Sequence, residues 1–213
     1  MPRSGAKTRE KILDSAQALV YQHGFVATSI DKVIEGAEIT KGAFFYHFKC
    51  KADLGRALIK RYAERDLAHL DRTMARAEKL SSDPRQQILI FIGLLQEDYE
   101  GLPDPVPGCL ITSYLYERAE YPEDVAEIAA RTFEQWRHRV ANKLGEAAEI
   151  REFDGRATPN ELASTLLALI EGGFVLAKAQ GDVNALTGLL GQFRAQLEGL
   201  FNIRNDAAGP KKS

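Results

Sequence analysis

The stretch FVATSIDKVIEGAEITKGAFFYHFKCKADL, residues 25–54, decides the fold. Within it Ile30, Val33, Ile34 and Ala37 recur at i, i+3, i+4 and i+7, the spacing of one helix face. Thr28 stands where it can cap that helix, with Asp31 three residues on to help satisfy the first free amides. A second short helix is predicted from Thr40 to Phe48, with Thr40 as its cap. Phe44 and Phe48, four apart, share one side of it, while Lys41 and Phe45 share another. One side must pack on Ile30, Val33 and Ile34. Five ring-bearing side chains in a row, Phe44 to Phe48, are more than one helix can bury in so small a lobe, so the other side is free to touch something else. Gly42 lets another backbone approach closely, and costs about 1 kcal/mol against Ala in a helix. Lys49 and Lys51 sit where they can neutralise phosphates. A tight pair of helices, the second dense with rings and flanked by lysines, suits a helix that lies in the major groove of DNA.

Charge supports a local footprint. Residues 1–51 carry eight basic and five acidic side chains, +3, in a chain of net charge -2, which leaves -5 for the remainder. A positive end on an otherwise acidic chain favours a defined nucleic-acid patch over general stickiness. Two cysteines, Cys50 and Cys109, make no disulfide framework, so a reducing cytoplasm is expected. The basic start has no apolar run behind it and does not read as a signal peptide. No stretch approaches the uninterrupted apolar length of a membrane span, so no membrane partner is expected.

Outside this stretch nearly every segment repeats at helical spacing and no alternating strand appears, which predicts an all-α chain of about nine helices. A stripe of Ile12, Ala16, Leu19 and Val20 precedes the quoted stretch, and a long helix follows it from about residue 52 to 80. Asp83-Pro84 opens the next, a cap residue followed by proline at the first helical position. Three prolines and two glycines between Gly101 and Gly108 forbid helix there. Thr158-Pro159-Asn160-Glu161 is a capping box, and behind it lie the two most apolar helices. The tail at 205–213 is expected to be disordered.

The residues Gly24-Phe25, Thr28-Ser29-Ile30, Thr40 to Phe48 and Lys51-Ala52-Asp53-Leu54 resemble the TetR family of bacterial transcriptional regulators over about residues 8–55. The resemblance implies that Thr28, Ser29, Lys41, Ala43, Phe45, Tyr46 and Lys51 face DNA while Phe44 and Phe48 are core. Thr40, Gly42 and Lys49 join the DNA-facing set from the residues themselves. Ala43 and Phe45 replace hydroxyl-bearing residues common at these positions, leaving apolar contact with thymine methyls. Glu38 stands where glycine is common.

The resemblance further implies a helix-turn-helix domain over 1–51 and a helical effector-binding and dimerisation domain over 52–204, whose last two helices pair in a dimer. The broad apolar stripes of those helices, with Leu166, Ile170, Phe174, Leu189, Phe193 and Leu197, and the Gly172-Gly173 step support a homodimer interface independently. Phe91, Leu95, Tyr99, Cys109, Thr112, Tyr116, Trp136 and Phe174 are the candidates for an effector pocket, mostly apolar with a few polar groups. Ordinary core is an equally good account of any one of them. His23, His47, His69 and His138 are scattered, with no metal-ligand spacing, and neither a nucleophile elbow nor a phosphate-cradling glycine loop occurs. Neither enzyme, metal nor cofactor is expected. The expectation is a dimeric repressor of a palindromic double-stranded operator, released by a small, largely apolar effector. An activator or architectural DNA binder without small-molecule control, a binding module with a vestigial DNA lobe, and a repressor responding to electrophiles or oxidants through Cys109 remain open.

Overall fold

The structure, a computed structural model, describes residues 2–103, 106–117, 121–150 and 157–201, with side chains from Gly5 onward. The tail expected to be disordered lies outside these residues. Among them there are nine helices and no strand: α1 (Pro2–His23), α2 (Ile30–Gly36), α3 (Lys41–His47), α4 (Lys51–Leu80), α5 (Pro84–Glu100), α6 (Leu110–Tyr116), α7 (Asp124–Ile150), α8 (Pro159–Gln180) and α9 (Asn184–Leu200).

The helix ends follow local chemistry. Asp83 accepts from the Arg85 amide with Pro84 in the first turn of α5. Thr158 and Glu161 cap each other's amides at the start of α8, and such caps contribute about 1 kcal/mol each. The backbone hydrogen bond from Thr158 holds the Glu161 carboxyl below the usual range.

The chain forms two compact units, and the boundary differs from the expected division at 51/52. The first unit is residues 1–66 with 107–132; the second is 67–106 with 133–213. Helix α6 therefore groups with α2 and α3.

In the first unit Ile12, Leu13, Val33, Phe44, Leu54 and Leu58 are fully buried. Arg61 is buried too, donating to Asp14 Oδ1 (2.7 Å), Gln17 Oε1 (2.9 Å) and Glu10 Oε2 (3.1 Å) on α1. The guanidinium is charged wherever it lies, so removing one of these partners leaves a buried charge less well compensated, which is costly.

In the second unit Phe91, Leu95, Trp136, Leu166, Phe193 and Leu197 belong to one apolar core. A Cβ at Gly173 would come within 3.1 Å of Leu186 Cα, so α8 and α9 meet backbone to backbone there. The neighbouring Gly172 faces open space. By length and composition alone α8 is apolar enough to cross a membrane, although Glu171 interrupts its apolar run as expected of a chain without an uninterrupted span, and 33% of that window is buried. Its excess apolarity has a position. Ala168, Gly172, Val175, Leu176 and Ala179, at i, i+4, i+7, i+8 and i+11, form an exposed stripe opposite the face that packs on α9.

Candidate nucleic-acid interface

Ser29, not Thr28, caps α2: its hydroxyl accepts from the Lys32 amide at 3.2 Å. Thr28 is 2% exposed and donates its hydroxyl to Gly24 O at 2.8 Å, closing the α1–α2 turn. Its assignment to the DNA face is therefore corrected, since a buried hydroxyl already bonded to backbone has nothing to offer a phosphate. Helix α2 lies close on α1 at Gly36, where a Cβ would meet Ser15 Oγ at 2.5 Å, and Ser15 donates to Val33 O.

The turn into α3 passes through Glu38 at φ 54, a left-handed backbone that costs a residue with a side chain about 1 kcal/mol. Thr40 then caps α3, accepting from the Ala43 amide at 3.2 Å. Helical geometry sorts the side chains as the spacing predicted. Phe44 and Phe48 are buried, their ring centroids 5.8 Å apart, and Arg9 lies over the Phe48 ring at 5.3 Å. Lys41 and Gly42 are exposed, Ala43 is half-buried, and Phe45 and Tyr46 stand 44% and 83% exposed. Large apolar rings left in water on a rigid seven-residue helix mark a contact surface.

Lys41 lies 3.8 Å from Asp31, both well exposed, and such a pair is worth little. Lys49 is exposed. Lys51 is half-buried, donating to Val26 O at 2.9 Å with its ammonium 4.7 Å from the Phe25 ring centroid. It therefore shapes the α1–α2 turn as well as adding charge.

Glu117, just past α6, was not singled out from the sequence. Its carboxylate accepts from the Phe25 amide at 2.7 Å and the Val26 amide at 3.4 Å. A lone acid 92 residues from its partner carries no local signal.

The effector candidates fall in both units. Phe91, Leu95 and Trp136 are buried in the second unit's core, and Tyr99 meets Phe174 edge-on at 5.3 Å there. Cys109 and Thr112 lie in the first unit, and Tyr116 is 80% exposed, which removes it from any enclosed pocket. Cys109 is buried and hydrogen-bonded to the Tyr62 hydroxyl; burial first, and Cys109 second, push that hydroxyl well above the ordinary tyrosine range. Of the interface candidates, Leu166, Ile170, Phe193 and Leu197 are buried within the single chain, so packing inside one protomer already occupies them. Phe174 and Leu189 are half-buried.

Two family models match this chain. One, described as bacterial regulatory proteins of the tetR family, covers residues 12–58. The other, described as the C-terminal domain of tetracyclin repressor-like proteins, covers residues 82–193, more than half of the chain. The chain belongs to the TetR family. This TetR-family regulator is similar to the transcriptional regulator AcuR of Cereibacter sphaeroides, 26% identical over 166 residues covering 75% of this chain and 71% of that protein. It is also similar to the HTH-type transcriptional repressor DhaR of Mycobacterium sp. strain GP1, 23% identical over 201 residues, 93% and 97% of the two chains. A TetR-family transcriptional regulator from Agrobacterium tumefaciens shares the fold, with TM-score 0.76 at 22% identity over 92% of this chain and 98% of that one. The chain is thus a DNA-binding transcriptional regulator, a class without enzymatic activity. TetR-family regulators bind operator DNA and small-molecule effectors, usually as dimers.

Proposed function

We propose that this regulator is a repressor that occludes a palindromic operator as a homodimer and is released by a small, largely apolar effector. The observation that carries the DNA contact is the division of α3: Phe44 and Phe48 buried, Lys41, Phe45 and Tyr46 exposed, Thr40 capping. Ser29, Gly42, Ala43 and Lys49 complete the contact set. The similarity to a protein named a repressor favours repression.

The dimer is supported by the exposed α8 stripe of Ala168, Gly172, Val175, Leu176 and Ala179, which leaves apolar surface that one protomer does not cover. A two-fold dimer that reads successive major grooves holds its two recognition helices about 34–36 Å apart. The effector reading draws on the apolar setting of Phe91, Leu95, Trp136 and Phe174. A DNA-bound regulator works in the cytoplasm.

Selection of bound sequences from random duplex DNA, at a stated salt concentration, tests the proposal. An enriched inverted repeat is expected. Salt-sensitive binding without enrichment would overturn it.

A further inference from the structure

The turn that joins α1 to α2 is gripped from several sides within the first unit. The Glu117 carboxylate accepts the Phe25 and Val26 amides at 2.7 and 3.4 Å. Lys51 holds Val26 O, and Thr28 holds Gly24 O. The Phe25 ring stacks on Tyr121, centroids 4.1 Å apart, and packs over Gly55, where a Cβ would come within 2.7 Å of it. Gly24 is left-handed at φ 80, and a Cβ there would collide with Glu117 Oε1. The turn is thus shaped to admit this carboxylate. Immediately beyond it, Ser29 caps α2, which leads directly into α3.

The other end of this contact lies at the C-terminal end of α6, a seven-residue helix entered through Gly108 at φ 81 and Cys109. Any displacement of the segment 106–117 carries Glu117 with it. Withdrawing the carboxylate removes a charged acceptor from the part-buried Phe25 amide and from the exposed Val26 amide, and hydrogen bonds to a charged group are worth more than neutral ones.

We propose that Glu117 is a positioning residue for the DNA contact: it transmits the state of the 106–117 segment to the α1–α2 turn, and so to α2 and α3. The proposal builds on the reading that α3 contacts DNA.

The test compares wild type, Glu117→Ala and Glu117→Gln by amide hydrogen exchange at Phe25 and by affinity for the inverted repeat recovered above. Expected is faster Phe25 exchange and about tenfold weaker binding for Glu117→Ala, with Glu117→Gln, which keeps an acceptor oxygen, within about threefold of wild type. Gly108→Ala, which strains the backbone ahead of α6 without a collision, should weaken binding in wild type and have little effect beside Glu117→Ala. Additive effects of these two changes, or wild-type exchange and affinity in Glu117→Ala, would overturn the proposal. Should Glu117→Ala not fold, Glu117→Ser, whose side chain is too short to reach the turn, takes its place: faster Phe25 exchange and weaker binding support the proposal, and wild-type values overturn it. If no variant, wild type included, selects any duplex, the DNA reading fails, while the exchange data still decide the contact.

Discussion

Two adjacent glycines on α8 should respond to alanine with opposite sign. At Gly173 the added Cβ would meet Leu186 Cδ1 at 2.5 Å and Leu186 Cα at 3.1 Å. Rotating the leucine relieves the first contact and not the second, so α9 itself must give way. Overpacking of this kind costs about 1–3 kcal/mol. Alanine's better helix propensity offsets roughly 1 kcal/mol of that, so Gly173→Ala should destabilise by about 1 kcal/mol net. Gly172 meets nothing within 4 Å and is exposed, so Gly172→Ala should stabilise by up to about 1 kcal/mol. For a chain of this size the pair should separate in melting midpoint by several degrees, about 2–4 °C per kcal/mol. Thermal unfolding followed by circular dichroism at several protein concentrations is the assay. If α8 pairs with a second copy through the Gly172 face, the gain at Gly172 should shrink as concentration rises, because the new methyl group then enters an interface. Gly173→Ala as stabilising as Gly172→Ala would refute the backbone-to-backbone contact of α8 and α9.

Other outcomes follow from the same coordinates. Thr28→Val should cost about 1 kcal/mol in urea unfolding through the lost bond to Gly24 O, and leave the salt dependence of DNA binding unchanged. Glu38→Gly should stabilise by about 1 kcal/mol, since its backbone is left-handed. Glu161 has its pKa depressed in the folded chain, so its contribution is present above its unfolded value of 4.5 and is lost as pH falls through the lower folded value. Glu161→Gln should therefore flatten stability against pH in that acid window, read by melts between pH 3 and 6 (a range set by about the carboxylate values).

Much of the fold was legible because helix ends carry short-range chemistry. Asp83-Pro84, Thr40 and the Thr158–Glu161 box each act within three residues, and each stands where its residue types placed it. The division of α3 was legible for the same reason, since four-residue spacing fixes a face. Thr28 and Ser29 are adjacent hydroxyls, and only the path of the turn shows which one caps and which is buried. The apolar stripes of α8 and α9 read equally well as core and as interface, because periodicity reports burial without saying by what. Hence Leu166, Ile170, Phe193 and Leu197 prove to be inside one chain, while the uncovered stripe runs through Val175 and Leu176. The grouping of α6 with the first unit, and the bond from Glu117 to Phe25, depend on contacts some ninety residues apart that no local pattern announces.

The central claim is that the exposed side of α3 reads DNA. Its most direct test is titration of a labelled duplex carrying the recovered inverted repeat with wild type and with Lys41→Ala/Phe45→Ala, followed by fluorescence anisotropy at two salt concentrations. Wild type should bind with an even number of protomers per duplex. The double variant should lose specific binding and show a salt slope shallower by about 0.9 for each phosphate contact that Lys41 makes. Unchanged affinity and slope in the double variant would contradict the account.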